Sequence, residues 1–291
     1  MHSQLSPHRA HRVDLPGRYG PVAALRAPAA GVDIGATALL VPGYTGSKED
    51  FAPLLDPIAD AGLEVVAIDL PGQYESAGPV AEADYHPGPL GAAVAELVGK
   101  LTADGRRVLL LGHSYGGLVC RGAVLAQAPI TGLTLLSSGP SELPPGERRL
   151  ALEQGEPLLR EQGVAALYEF TLVRAALNPQ WALLPEGLKD FYRSRFGRST
   201  AAGLLGMGDA LRTEPDLVAK LARSLRSSGT PCLVVCGELD DAWSAAAQRD
   251  MAERLDADFA VLKGVLHSPN TEAPEALLAT LLPTWRAWLS A

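Results

Sequence analysis

Apolar residues in this chain gather into short runs without polar alternation, each followed by a stretch with helical spacing. Residues 36–41, 64–68, 108–111, 133–136, 232–236 and 259–262 form the runs. Segments of this length that are apolar on both faces read as strands of a sheet covered on both sides. Residues 49–61, 90–103, 117–128, 245–255 and 273–289 repeat their apolar positions every three or four residues and read as helices. Strand and helix in alternation predict an α/β fold with a mostly parallel, doubly wound sheet.

The pattern changes after Ser138-Gly-Pro-Ser-Glu-Leu-Pro-Pro145. Residues 148–161, 164–177, 187–196, 201–211 and 216–227 carry only helical spacing, punctuated by Gly163, Pro179, Pro185, Gly197, Pro215 and Gly229. Because alternation resumes on the far side, both flanks belong to one sheet. The expected organisation is an α/β core over residues 21–140 and 229–291, interrupted by an all-helical cap over 141–228. Residues 1–20 are polar, bear His, Arg and Pro, show no period, and are expected to form a flexible arm.

Composition narrows the function classes. A chain of 291 residues, 47% hydrophobic and 20% charged, can bury a large core. A net charge of -8 argues against nucleic acid or an anionic membrane surface, both of which need a basic face, and favours a small-molecule partner. The longest uncharged run, residues 122–141, is interrupted by Gln127, Pro129 and Thr131, so no membrane span is expected. Arg9, Arg12, Arg18 and Arg26 punctuate the first thirty residues without the continuous apolar segment of a secretory leader. Cys232 and Cys236 share a strand face but lie roughly 13 Å apart, too far for a bond or a shared metal, and with Cys120 they read as buried thiols of a cytoplasmic protein. No pattern in the chain implies an oligomeric state.

The chemistry-bearing stretch is Val108-Leu-Leu-Leu-Gly-His-Ser-Tyr-Gly-Gly117, an apolar strand that breaks into Gly-x-Ser-x-Gly before a helix. A serine hydroxyl is a poor nucleophile until a base takes its proton. A sharp strand-to-helix turn pushes it out of the backbone to where a distant histidine can reach. Base, orienting acid and oxyanion donors should then lie beyond the carboxyl ends of other strands. Acids follow the 232–236 run in Gly237-Glu-Leu-Asp-Asp241, and a histidine follows the 259–262 run in Lys263-Gly-Val-Leu-His267.

With these motifs in this order, the chain resembles an α/β-hydrolase of the esterase, haloperoxidase and epoxide-hydrolase-like superfamily, over residues 36–140 and 230–289. The elbow matches residue for residue. Gly237-x-x-Asp240 resembles the family's acid turn, and Gly264-x-x-His267 its histidine loop. Pro42-Gly-Tyr-Thr-Gly46 stands where the family carries His-Gly-x. Asp69-Leu-Pro-Gly-Gln-Tyr-Glu-Ser76 stands for Asp-x-x-Gly-His-Gly-x-Ser, with Gln73 in the place of the histidine. The resemblance implies Ser114 as nucleophile, His267 as base and Asp240 as its partner, with the backbone N–H groups of Tyr44 and Tyr115 as the oxyanion hole. Asp241 is the competing acid and otherwise caps the next helix. Glu238 reads as a loop residue, His113 as packing beneath the sheet edge, and His86 as solvated.

The expected activity is that of a serine hydrolase of the carboxylesterase class (EC 3.1.1), cleaving an ester of a small, moderately apolar molecule through an acyl-enzyme. No cofactor or metal is implied. The same residues also suit a thioesterase, a C–C bond hydrolase or a perhydrolase, and a non-catalytic ligand receptor is the alternative from another class. The basic set Lys189, Arg193, Arg195 and Arg198 reads as a solvated helix face with an anionic substrate as the other reading. Leu167, Phe170, Trp181, Phe191 and Met207 read as cap packing, with some of them lining a pocket.

Overall fold

Residues 2–290 are described in a computed structural model. Met1 and Ala291, the outer ends of the expected arm and core, lie outside them. Eight strands form one sheet: β1 (His11–Gly17), β2 (Gly20–Ala27), β3 (Ala36–Val41), β4 (Glu64–Ile68), β5 (Arg107–His113), β6 (Gly132–Leu136), β7 (Cys232–Gly237) and β8 (Asp258–Leu262). Their order across the sheet is β1-β2-β4-β3-β5-β6-β7-β8. From β4 to β8 every pair is parallel, while β1 and β2 add antiparallel to the β4 edge.

The helices are α1 (Ala52–Asp60), α2 (Pro87–Leu101), α3 (Tyr115–Leu125), α4 (Glu147–Ala175), α5 (Pro179–Ala182), α6 (Glu186–Gly197), α7 (Ala201–Thr213), α8 (Val218–Ser228), α9 (Ala245–Leu255), α10 (Pro269–Glu272) and α11 (Pro274–Ser290). Strand residues divide between the two faces as a period of two requires. Leu39, Val66, Leu110, Leu135 and Val234 share one apolar cluster with α2, α3, α8 and α9. Leu40, Ala67, Leu111 and Val235 share the other with α1 and α11. Trp285 of α11 is fully buried there and donates its indole N–H to Thr134 Oγ1 at 3.0 Å, so a polar group inside the core has its partner.

Two sequence expectations are corrected. Residues 11–17 are not part of an irregular arm: they form β1, hydrogen-bonded to β2 as a hairpin. Its alternation is one-sided, with Val13 and Leu15 against the core and Arg12 and Asp14 outward, as suits an edge strand with one wet face. The segment before it is also tied down, since Arg9 donates its backbone N–H to Asp56 Oδ1 at 2.8 Å. The second correction concerns α8, which lies inside the expected cap. Its buried face of Val218, Leu221, Ala222 and Leu225 joins the sheet-covering layer. An amphipathic helix carries the same spacing whichever surface it covers.

Among the described residues, 141–228 contain no strand. Gly163, at φ 84°, interrupts α4 where two helices were expected. The segment builds a small core of its own from Leu159, Leu167, Tyr168, Phe196, Leu204 and Leu205, and α7 also sends Met207, Ala210 and Leu211 into the sheet cluster. No helix of the described residues is long and apolar enough to cross a membrane.

Candidate active site

The parallel strands all end on one side, and the residues singled out from sequence follow four of them: Tyr44 after β3, Ser114 after β5, Asp240 after β7 and His267 after β8. Ser114 occupies φ 54°, ψ −121°, a conformation disfavoured for a residue with a Cβ. The turn tolerates only glycine at its flanks. A Cβ on Gly116 would run into the carbonyls of Val41 and Pro42, and one on Gly112 into the backbone of Gly116. Gly43 lies against the serine itself, for a Cβ there would lie 3.0 Å from Ser114 Cβ and 3.4 Å from its Oγ.

Ser114, His267 and Asp240 come together. Ser114 Oγ lies 2.9 Å from His267 Nε2, and His267 Nδ1 lies 2.8 Å from Asp240 Oδ1. All three are buried, with 7–8% of each residue's surface exposed. The contact to the carboxylate fixes the proton on Nδ1 and leaves Nε2 to accept from the hydroxyl. Asp240 accepts further bonds from the Ala242 N–H at 2.9 Å and from Gln248 Nε2 at 2.9 Å. Burial alone would raise its pKa, but the hydrogen bonds from His267, Ala242 and Gln248 outweigh it and hold the carboxyl below its ordinary value. Asp241 turns outward to Arg148 at 2.7 Å and does not cap the next helix. Ser244 does that, accepting from the Ala247 N–H.

The family is decided by residues 38–280, which match the alpha/beta hydrolase family. The chain belongs to that family. Solved structures of similar fold include a putative aryl esterase from Burkholderia cenocepacia (TM-score 0.75, 18% identity, 97% of this chain and 100% of that one). A hydrolase from Pseudomonas aeruginosa is similar at TM-score 0.73 and 22% identity, over 98% and 100% of the two chains. A carboxylesterase from Nitrososphaera gargenis is similar at TM-score 0.72 and 19% identity, over 96% and 99%. At these identities the likeness is one of fold. No curated protein matches the sequence.

Three residues that sequence reasoning did not bring to the site support this alpha/beta hydrolase centre. Gln248, four residues beyond Ser244 in α9, is fully buried and also donates to the Trp243 carbonyl at 2.8 Å, so its amide locks the Asp240 carboxylate in place. His113, expected beneath the sheet edge, donates Nε2–H to the His267 carbonyl at 2.9 Å and holds the backbone of that loop. Burial, then the neighbouring His267 ring, lower its pKa to about 4, so it is neutral near neutral pH. Gln73, also buried, donates Nε2–H to the Gly43 carbonyl at 2.7 Å and accepts the Leu70 N–H at 3.1 Å. That carbonyl shares a planar trans peptide with the Tyr44 N–H, so fixing one end fixes the direction of the other. The substitution of histidine by Gln73 was visible in the sequence; its partner across thirty residues was not.

Two cavities flank the centre. One, of about 360 Å³, contains Ser114 and His267 and is bordered by polar Gln4, Asp50 and Asn270. The other, of about 340 Å³, lies among α4, α6 and α7 and is mainly apolar. Of Lys189, Arg193, Arg195 and Arg198, Arg195 lines both and pairs with Asp50 at 2.6 Å. Lys189 and Arg193 pair with Glu186 and Asp190 on their own helix, and Arg198 reaches Glu75. Leu167, Phe170 and Trp181 line the apolar cavity, whereas Phe191 packs edge-on to Tyr74 and Met207 joins the core. His86 pairs with Asp209 at 3.1 Å instead of standing free, and Glu238 accepts the Gly264 N–H at 2.9 Å. Asp240, Asp241 and His267 bring ligand atoms within 4.8 Å of one another. Their side chains are hydrogen-bonded to Ser114, Arg148 and each other.

Proposed function

We propose that this alpha/beta hydrolase cleaves a carboxylic ester through an acyl-enzyme on Ser114. The observation that carries the reading is the His267 ring, which bridges Ser114 Oγ at 2.9 Å and Asp240 Oδ1 at 2.8 Å. In the first half-reaction Ser114 Oγ bonds to the ester carbonyl carbon as its proton passes to His267 Nε2. The tetrahedral intermediate then collapses, the C–O bond to the alcohol breaks, and His267 returns the proton to the departing oxygen. In the second, water gives a proton to His267, its oxygen bonds to the acyl carbon, and the bond to Ser114 Oγ breaks as that oxygen takes the proton back. Asp240, held ionised by its hydrogen bonds, stabilises the imidazolium in both.

The oxyanion donors in this reading are the backbone N–H groups of Tyr115 and Tyr44. Tyr115 opens α3, where the first N–H groups of a helix have no intrahelical acceptor and the helix dipole favours negative charge. Tyr44 follows Gly43, whose Cα borders Ser114. The helical segment from α4 to α7 serves as the cap, its apolar residues lining a space beside the nucleophile. A fluorophosphonate probe tests the reading: it should label Ser114 in the native protein and not in Ser114→Ala, with hydrolysis of a nitrophenyl ester lost in parallel. A folded protein that neither reacts with the probe nor turns over any ester would refute it.

A further inference from the structure

The apolar cavity is separate from the hydrogen-bonding machinery, yet it shares a wall with it. Tyr44, Thr45, Ala151, Leu152 and Arg195 line both chambers. Tyr44 stands at the junction: its backbone belongs to the loop beside Ser114, and its phenol donates to the Leu204 carbonyl of α7 at 3.2 Å. Burial pushes that phenol's pKa well up, so it stays a neutral donor. Beyond it the walls are mainly Leu159, Leu167, Phe170, Phe196 and Leu205, with Arg174 and the Glu156–Arg212 ion pair at 2.5 Å also lining the chamber.

A space of about 340 Å³ among such side chains is larger than packing defects in a close-packed interior. It falls within the size of sites that enclose a small ligand. The polar border of the catalytic chamber lies elsewhere. Gln4 donates to Asp50 Oδ1 at 3.0 Å and accepts from Tyr192 at 2.9 Å, while Asn270 donates to the Asp50 carbonyl at 2.7 Å and keeps a buried Oδ1 without a partner among the described residues. Ser114 thus sits in a chamber with polar groups on one border and, across Tyr44, Thr45, Ala151, Leu152 and Arg195, the mainly apolar chamber on another. The acyl group stays bonded to Ser114 Oγ through both half-reactions, whereas the alcohol leaves and water enters, so the apolar chamber suits the part that stays.

We propose that the chamber among α4, α6 and α7 is an acyl-binding site for a medium-chain apolar acyl group, with the alcohol and the incoming water on the Gln4–Asp50–Asn270 side. The proposal rests on acylation of Ser114 and deepens that reading to a substrate class.

The test compares p-nitrophenyl acetate with p-nitrophenyl octanoate in the wild type, Thr171→Phe and Ala175→Trp. Both positions line only the apolar chamber and are half-buried, so the added rings enter the space without displacing the core. Each buried methylene is worth roughly fourfold in binding, so octanoate should exceed acetate in kcat/KM by at least about tenfold in the wild type. Both variants should lower that ratio about fivefold or more through a raised octanoate KM, with acetate kinetics unchanged. Variants that melt as the wild type does but keep its ratio overturn the proposal. A second measurement separates it from the catalytic reading: octanoate is titrated calorimetrically into Ser114→Ala with and without Ala175→Trp. Octanoate binding weakened about tenfold by Ala175→Trp upholds the chamber even if no ester is cleaved, and absent or equal binding overturns it.

Discussion

Gln73 offers the sharpest perturbation because it sits outside the reacting groups yet grips the loop that approaches them. Replacing it by leucine keeps a similar volume and deletes its two hydrogen bonds to backbone, at 2.7 Å to the Gly43 carbonyl and 3.1 Å from the Leu70 N–H, along with the longer one to Met207 Sδ at 3.9 Å. Each partner is left inside the protein, where an unsatisfied polar group costs about 1–3 kcal/mol. Two such groups, less the gain from burying an apolar side chain, give a loss of stability of about 0.5–4 kcal/mol. The catalytic effect has a separate origin. Once the Gly43 carbonyl is released, the peptide carrying the Tyr44 N–H, the proposed oxyanion donor, can tilt, and loss of one such donor costs about 3 kcal/mol of barrier, or 10²–10³ in kcat. Partial misalignment should lower kcat about 10- to 100-fold.

The assay is steady-state hydrolysis of p-nitrophenyl acetate, with urea unfolding on the same preparations. Because the donor acts on charge that develops only in the transition state, kcat and kcat/KM should fall together while KM stays near its wild-type value. Gln73→His provides a rescue, since an imidazole can donate from one nitrogen and accept on the other, and it should recover most of the turnover that Gln73→Leu loses. A kcat within twofold of wild type in Gln73→Leu, with stability reduced as calculated, would make Gln73 a packing residue and sink the argument.

Other outcomes follow from the same geometry. Asp240→Asn should lower kcat by about 10³–10⁴-fold, because the amide can present its N–H to Nδ1 and select the wrong tautomer. Asp241→Asn removes only an exposed pair with Arg148 and should stay within about threefold of wild type, so the reverse ranking in a nitrophenyl ester assay would reassign the acid. For His113, the folded pKa of about 4 lies below the unfolded value of 6.5, so the folded state binds fewer protons between them. Its contribution, about 3 kcal/mol, is complete above pH 6.5 and is lost as pH falls toward 4. Urea unfolding at stepped pH should show this slope in the wild type and a flatter one in His113→Asn; identical slopes would remove His113 as the titrating group.

Much of the fold and the outline of the candidate site were legible in the linear chain because they rest on local rules. Both-face apolar runs such as 108–111 and 232–236 marked buried strands, and helical spacing marked the elements between them. Glycines at 112 and 116 marked a turn that no other residue fits, and the order of Ser114, Asp240 and His267 matched the strand ends that carry them. The β1 hairpin was less visible, since its alternation of Arg12, Val13, Asp14 and Leu15 is short and lies among polar residues that resemble a loop.

What tertiary structure decided was every partnership between distant segments. Asp240 and Asp241 are chemically alike and adjacent, and only the path of the loop after β7 turns one to His267 and the other to Arg148. Gln73, Gln248 and His113 carry no motif of their own; each acts through a carbonyl or carboxylate that the sheet brings within hydrogen-bond reach. The two chambers likewise arise where α4, α6 and α7 meet the strand ends. Hydrophobic periodicity records which face of a segment is buried, and a side chain's bonding partner depends on which other segment arrives there.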